Sequence, residues 1–246
     1  MPWLLSLAIL LLGLAACDRP IEAPGAPARP EPTVEPMVET DSIIVADSAL
    51  GFTAVFRYPQ LHDAGPHTDA INAALADSAR AYVDVFRPTE PPPDYMTRGS
   101  EVEGSFVVTR LDERLFSARI DTYWYTGGAH GNTDVLPLNY NLTTGDRVAL
   151  PHLFAPEAAY LDTLSAHSAA LLAQEAESRG FSASDLWAEG YAPEAANFQR
   201  FTLGPDSLTL YFPPYQVAPY VAGPFAIALA YADVYPLLAP AGPLSE

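Results

Sequence analysis

Hydrophobic and polar positions follow helix or strand periods along most of the chain beyond its N-terminal segment. The β-branched and aromatic stretches Ser42–Ala46 and Gly51–Tyr58 predict two strands of a hairpin. From His67 to Phe86, apolar residues recur every three to four positions, which predicts a helix with Thr68 as its N-cap. Prolines from Pro88 onward end this helix, since a residue before proline disfavours helical backbone.

The middle of the chain predicts further strands. Val102–Arg110 and Leu115–Tyr125 alternate on either side of a short polar turn, which is typical of a hairpin, and another strand is expected at Val135–Leu142. In the second strand of this hairpin, one face carries apolar side chains and the other carries polar and tyrosine side chains: Phe116, Ala118, Ile120 and Trp124 against Arg119, Asp121, Tyr123 and Tyr125.

The C-terminal part predicts a second long helix and more strands. The helix would start near Pro156 and end at about Arg179, with Gly180 as its C-cap. A hairpin around Gly204–Ser207 precedes strand segments at Leu208–Phe212 and Phe225–Tyr231. Several hairpins with two main helices predict an α+β fold with an antiparallel or mixed β-sheet.

The N-terminal segment has the features of a bacterial lipoprotein signal. Its apolar run from Trp3 to Ala16 is shorter than the roughly 20 residues that cross a bilayer. Small residues before Cys17 resemble a lipobox, so we expect residues 1–16 to be a signal peptide and Cys17 to carry lipid that binds the membrane. Residues 17–41 are rich in Pro and Glu and read as a stalk. The expected location is therefore the cell envelope, facing the periplasm or the exterior.

Composition excludes several classes of function. The net charge is −18, so we expect no nucleic-acid partner, while a cationic protein would be attracted. Every one of the 12 basic residues is arginine, which excludes a Schiff-base or P-loop lysine. A single cysteine and the lack of a histidine–carboxylate motif lead us to expect no metal and no cofactor.

Two stretches carry candidate chemistry. In Gly127–Gly131, His130 follows an aromatic strand, and either a turn or a general base assisted by Asp121 or Asp134 would explain it. In Tyr211–Pro224, several prolines exclude a regular central strand. That stretch predicts either a rigid loop packed on the sheet or an aromatic patch that binds a protein or a glycan.

Four blocks along the chain resemble a known family. In order, these blocks resemble the extracytoplasmic domain of RsiV-like anti-sigma factors, which also accompanies PdaC-like peptidoglycan deacetylases: Tyr125–Gly131, Leu138–Gly145, Leu150–Phe154 and Tyr215–Pro224. The resemblance implies an α+β fold, a small module at residues 42–98 and a larger RsiV-like domain at residues 99–246. For RsiV-like members it also implies binding of lysozyme as a signal. We expect neither anti-sigma activity nor an additional deacetylase domain.

These observations give a leading hypothesis and two alternatives. The leading hypothesis is a lipid-anchored envelope protein, not an enzyme, whose domain binds or senses lysozyme or another cell-wall ligand. The alternatives are a cell-wall hydrolase or modifying enzyme that uses His130, and a structural lipoprotein that docks on another envelope protein. The oligomeric state stays open. The candidate partner-binding residues are Tyr123, Tyr125, His130, Tyr215 and Tyr220.

Overall fold

The computed structural model describes residues 35–93 and 98–245, which form two sheets and three α-helices. The five-stranded sheet contains β1 (Met37–Asp47), β2 (Phe52–His62), β3 (Ser100–Leu111), β4 (Leu115–Tyr125) and β5 (Asn132–Asn141), in that spatial order. The three-stranded sheet contains β6 (Phe201–Leu203), β7 (Ser207–Phe212) and β8 (Phe225–Ala230). The helices are α1 (Thr68–Val85), α2 (Tyr160–Ser178) and α3 (Tyr231–Val234). The predicted α+β class is confirmed.

The five-stranded sheet is mixed. Strands β1 and β2 pair antiparallel, as do β3, β4 and β5, whereas β2 and β3 pair parallel, with α1 between them in the chain. A parallel pair needs such a crossover, because the chain must return to the end of the sheet where the first strand began before the second strand can run in the same direction. Strand β2 precedes residue 98 and strand β3 follows it. Their pairing therefore joins the two predicted modules, 42–98 and 99–246, in one sheet. Their boundary stays a prediction.

Two hydrophobic clusters hold the long helices against the sheets. In the first, the apolar stripe of α1 packs with one face of the five-stranded sheet, where its fully buried members include Ile71, Leu75, Phe56, Phe116 and Ile120. In the second, α2 packs with the three-stranded sheet through residues such as Leu164, Leu172, Leu208, Leu210 and Phe225. The predicted apolar face of β4 thus lies against α1, and its polar face points the other way.

Several element boundaries differ from the sequence predictions, and three of them have a clear physical reason. Strand β1 begins at Met37, within the segment interpreted as a stalk, because its ladder with β2 extends until Met37 pairs with His62. Thr68 is the first residue of α1, and its hydroxyl donates to the Gly65 carbonyl at 2.7 Å instead of capping the helix. Helix α2 begins at Tyr160 rather than near Pro156, since the preceding segment forms a turn.

The predicted signal peptide, the lipid attachment at Cys17 and most of the predicted stalk lie outside the described residues. Within the part of the chain that the structure describes, no helix is both long and apolar enough to cross a membrane.

Candidate functional site

The polar face of β4 lies opposite α1 and forms the floor of a groove. Arg119, Asp121 and Tyr123 alternate along this face because successive side chains of a strand point to opposite sides of the sheet. On the neighbouring strand β5, Val135 is the cross-strand partner of Asp121, and Thr133 is the partner of Tyr123. Cross-strand partners share a face, so the floor extends over both strands.

Two cavities make up this groove. One has a volume of ≈ 390 Å³ and lies between the floor and the three-stranded sheet, where Tyr211, Phe212 and Phe225 line it. The other, of ≈ 580 Å³, extends across β2, β3 and β4, from Arg57 to Tyr123. Both are lined by Asp121, Thr122 and Thr133, so they meet at this point. We call the joined cavities the sheet groove.

Arg119 is a fixed cation of the sheet groove, which Arg57 and Arg179 also line. Its Nε donates to Asp121 Oδ1 at 2.7 Å, and its guanidinium lies over the Tyr211 ring at 5.3 Å from the centroid. The Tyr211 hydroxyl is also hydrogen bonded to Thr202 Oγ1 at 2.9 Å, which fixes the ring. Burial alone would lower the pKa of Arg119, but the hydrogen bond to Asp121 raises it overall. The groove therefore holds a permanently charged donor beside a carboxylate.

The carboxylates expected beside His130 lie apart. Asp134 is the cross-strand partner of Thr122 on the α1 side of the sheet, whereas Asp121 is on the opposite face, although both line the smaller cavity of the groove. Each has an arginine partner: Arg119 for Asp121, and Arg200 for Asp134, where Nη2 donates to Oδ2 at 2.7 Å. Asp121 and Asp134 therefore lie on opposite faces of the sheet, and among the described residues neither is hydrogen bonded to His130, which either of them was expected to assist.

His130 lies exposed in the turn between β4 and β5. Its Nδ1 is 2.8 Å from the carbonyl oxygen of Gly131, and its ring stacks on Tyr220 with the centroids 4.1 Å apart. These contacts agree with the interpretation in which His130 belongs to a turn. When Nδ1 donates its proton to that carbonyl, Nε2 carries the free lone pair and can accept a proton.

Tyr215 and Tyr220 extend this stack. Their ring centroids are 5.5 Å apart, and the Tyr220 hydroxyl donates to the Gly131 carbonyl at 2.9 Å. Tyr215 is half-exposed and has a left-handed backbone with φ of 69°, which costs about 1 kcal/mol or more in a residue with a side chain. We call the rings of His130, Tyr220 and Tyr215 the aromatic shelf.

The remaining two predicted partner-binding residues lie around the same turn. The Tyr125 hydroxyl donates to the Gly128 carbonyl at 3.0 Å. The Tyr123 ring lies so close to Gly131 that a Cβ there would sit 2.4 Å from it. The structure thus gathers Tyr123 and Tyr125 with the aromatic shelf around one turn, although the chain separates them widely. Binding of a partner by these residues stays a prediction.

Sequence reasoning missed the contact between Arg119 and Tyr211. The sequence places Arg119 on the polar face of β4 and Tyr211 at the start of the proline-rich aromatic stretch, but neither is among the candidate partner-binding residues. Their contact depends on how the three-stranded sheet docks, which no local pattern encodes. The Arg119–Asp121 pair did carry a signal, since opposite charges two positions apart on a strand share one face.

Two family models match this chain. Residues 52–133 match the family described as Deacetylase PdaC, and residues 152–232 match the family described as Protein of unknown function (DUF3298). The chain therefore carries a PdaC-like region followed by a DUF3298 region, which confirms the PdaC-like part of the resemblance. The RsiV-like part stays a prediction.

Two curated relatives share parts of the sequence. The peptidoglycan-N-acetylmuramic acid deacetylase PdaC of Bacillus subtilis is 30% identical over 139 residues, covering 55% of this chain and 29% of the relative. An esterase of Mycobacterium tuberculosis is 34% identical over 97 residues, covering 39% of this chain and 40% of the relative. The matches thus span less than half of each relative.

Two solved structures share the fold. A DUF3298 family member from Bacteroides fragilis has a TM-score of 0.54 at 21% identity, with 82% of this chain and 94% of that chain covered. A DUF3298 family protein from Pseudomonas aeruginosa has a TM-score of 0.54 at 20% identity, with 84% and 94% covered.

The comparisons correct one expectation and support another. The expectation that the chain is not an enzyme is wrong, because the curated relatives are named as a deacetylase and an esterase and point towards an enzyme. They do not support the leading hypothesis of a non-catalytic binding domain. The match to a peptidoglycan deacetylase agrees with an envelope location. Lipid attachment at Cys17 stays a prediction.

Proposed function

We propose that this chain takes part in removing an acyl group from a cell-envelope substrate, and that the sheet groove holds the group being removed. Both curated relatives are named for hydrolysis of an acyl group, from an amide in a deacetylase and from an ester in an esterase. The region that matches Deacetylase PdaC, residues 52–133, includes β4, which forms part of the floor of the sheet groove, and β2 and β3, which line its larger cavity.

The observation that carries this proposal is the Arg119–Asp121 pair in the groove. Hydrolysis of an ester or amide develops negative charge on the carbonyl oxygen, and a preorganised cation or donor lowers the barrier by stabilising that charge. Arg119 is charged, and Asp121 and Tyr211 hold it in place. It is therefore suited to bind the developing oxyanion.

Asp121 is suited to activate water. Its Oδ1 accepts from Arg119, and among the described residues its second oxygen accepts no hydrogen bond from the protein. That oxygen can bind a water molecule and take its proton as the water attacks the carbonyl carbon, and it can return this proton to the leaving oxygen or nitrogen when the bond from that atom to the carbonyl carbon breaks. The geometry thus offers a base and an oxyanion donor on one face of one strand.

His130 is a second candidate base, since its contact with the Gly131 carbonyl leaves Nε2 able to accept a proton. It lies in the turn that borders the groove, beside Tyr123. This candidate corresponds to the hydrolase alternative that the sequence raised.

The test is acetate release by the full chain from acetylated peptidoglycan fragments and from a small acetate ester. We expect release by the unaltered protein and a loss of at least a hundredfold in Asp121→Asn and Arg119→Gln. The matched control is Asp112→Asn, because Arg110 and Asp112 form the same pair at the same spacing in the β3–β4 turn. Activity that survives Asp121→Asn but not His130→Ala would transfer the role of base to His130. No release from either substrate would overturn the proposal.

Membrane attachment through Cys17 and binding of lysozyme remain separate proposals. The lipobox-like residues before Cys17 and the net charge of −18 support them, respectively. Mass spectrometry of the native N-terminus tests lipid attachment, and a pull-down at moderate salt tests lysozyme binding.

A further inference from the structure

We propose that the aromatic shelf is a carbohydrate-binding site, in which the exposed ring of Tyr215 at the end of the stack packs on a pyranose ring of a neutral glycan. The rings of His130 and Tyr220 are inclined by 25°, and those of Tyr220 and Tyr215 by 31°. With centroid separations of 4.1 Å and 5.5 Å, the three rings form one stack, with Tyr220 in the middle and Tyr215 at its exposed end. Nothing in the described chain covers its outer end, since Tyr215 is 50% exposed and the neighbouring Val221 is 80% exposed.

The aromatic shelf is rigid before any ligand arrives. The Tyr220 hydroxyl and His130 Nδ1 both contact the carbonyl oxygen of Gly131, so two rings are fixed to one backbone atom. Pro214 directly precedes Tyr215 and Pro219 directly precedes Tyr220, so the backbone that leads into each ring is restricted. A preorganised surface loses little conformational entropy on binding, which favours even a weak ligand such as a single sugar ring.

The backbone of Tyr215 indicates that its ring is held outward for a reason. Its φ of 69° lies in the left-handed region that glycine adopts without strain. Glycine or asparagine would relieve this strain, yet the position holds a large, exposed aromatic residue. Strained residues concentrate at binding sites, where function maintains them against their cost in stability.

The chemistry of the rings favours a sugar over other ligands. The face of an aromatic ring is negative, and it attracts the partly positive C–H groups on the flat side of a pyranose. The Tyr215 hydroxyl and His130 Nε2 at the ring edges can hydrogen bond to sugar hydroxyls. The net charge of −18 repels polyanions such as nucleic acids and phosphate-rich polymers, and none of the three shelf side chains is a carboxylate that would pair with a basic protein, so a neutral glycan is the favoured partner of the shelf.

The position of the aromatic shelf deepens the proposed function. Tyr123 lies against Gly131 beneath the shelf and also lines the sheet groove. A glycan stacked on the shelf can therefore extend towards Asp121. This direction rests on the proposed function, whereas binding to the shelf does not require hydrolysis.

The test measures binding of N-acetylglucosamine oligomers and of purified peptidoglycan to the full chain by calorimetry and sedimentation. We expect the unaltered protein to bind both and Tyr215→Ala to bind at least tenfold more weakly. Tyr215→Trp should retain binding, because its ring keeps the stacking face. The control is Tyr235→Ala, which removes a tyrosine that is 74% exposed outside the shelf.

A second variant separates binding from structure. Tyr215→Gly removes the ring and also the backbone strain, so it should melt at the same temperature as the unaltered protein or higher, and yet lose binding. Lack of binding by the unaltered protein, or unchanged binding in Tyr215→Gly, would overturn the proposal. Lysozyme binding that Tyr215→Ala abolishes, without oligomer binding, would also overturn it and assign the shelf to a protein.

The two proposals can fail separately. Acetate release without oligomer binding would remove the carbohydrate site and leave the proposed function in place. Oligomer binding that depends on Tyr215, without acetate release, would support the aromatic shelf and remove the hydrolytic role.

Discussion

Ser117 on β4 donates from its hydroxyl to Asn139 Oδ1 on β5 at 2.6 Å, and both side chains are fully buried. Each also binds the strand β6: the Leu203 amide donates to Ser117 Oγ, and Asn139 Nδ2 donates to the Phe201 carbonyl at 2.9 Å. These hydrogen bonds join the five-stranded sheet to the three-stranded sheet beside the sheet groove.

Replacing Asn139 should therefore weaken the attachment of the three-stranded sheet to the five-stranded sheet and destabilise the protein. Asn139→Ala leaves the buried Phe201 carbonyl without its side-chain donor and the Ser117 hydroxyl proton without its acceptor, so we expect a loss of about 2–4 kcal/mol in the free energy of unfolding. Urea denaturation measures it. Asn132→Ala is the matched control, because Asn132 accepts from the adjacent Thr133 amide near the surface. Equal losses in the two variants would contradict this role for Asn139.

Gly131→Ala should disturb the turn beneath the aromatic shelf. A Cβ at this position would meet the Tyr123 ring at 2.4 Å, so the ring or the turn must move, at a cost of about 1–3 kcal/mol. We expect a lower melting temperature. Removing the ring in the double variant Gly131→Ala with Tyr123→Ser should make the alanine substitution nearly neutral relative to Tyr123→Ser alone. A penalty that persists without the ring would show that the contact is not its cause.

Ser168→Ala should stabilise the protein. Ser168 is fully buried in α2, and among the described residues its hydroxyl has no hydrogen-bond partner. Burying an unsatisfied hydroxyl costs about 1–3 kcal/mol, and alanine removes it while favouring the helix. Thermal melting measures the effect, with the exposed Ser178→Ala as the control. A lower melting temperature in Ser168→Ala would refute the prediction.

Asp112 should contribute to stability in a pH-dependent way. Burial alone would raise its pKa, but hydrogen bonds from Arg110 and from the amides of Arg114 and Leu115 lower the pKa overall. Because the folded-state pKa lies below that of the unfolded chain, the stabilisation is present above about pH 4 and is lost as the pH falls through the folded-state pKa. Denaturation at pH 7 and at successively lower pH should show this loss. Asp112→Asn should reduce the slope of the free energy of unfolding against pH in this range. An unchanged slope would count against a contribution from Asp112.

The elements of the fold follow from local patterns. The period of α1 and the two faces of β4 are properties of consecutive residues, and the structure confirms both. The parallel pairing of β2 with β3 was not predicted in detail, because it depends on where α1 returns the chain. The early start of β1 was missed because its ladder is set by the length of its partner, not by its own sequence.

The candidate site was predicted only in pieces. His130, Tyr215 and Tyr220 stood out because glycines and prolines surround them, but their stacking joins residues far apart in the chain. The separation of Asp121 from Asp134 follows from strand alternation and was accessible in principle, once their strands were known to be neighbours. The docking of Tyr211 on Arg119 was not accessible, because it depends on the packing of two sheets.

The parallel pairing of β2 with β3 has a consequence for synthesis of the chain. The β1–β2 hairpin emerges from the ribosome before β3, so the edge of β2 that later pairs with Ser100–Gly104 stays open until α1 and the following proline-rich loop have been made. An unpaired strand edge is a template for wrong partners. A nascent chain stalled after α1 should therefore be the species most prone to aggregate.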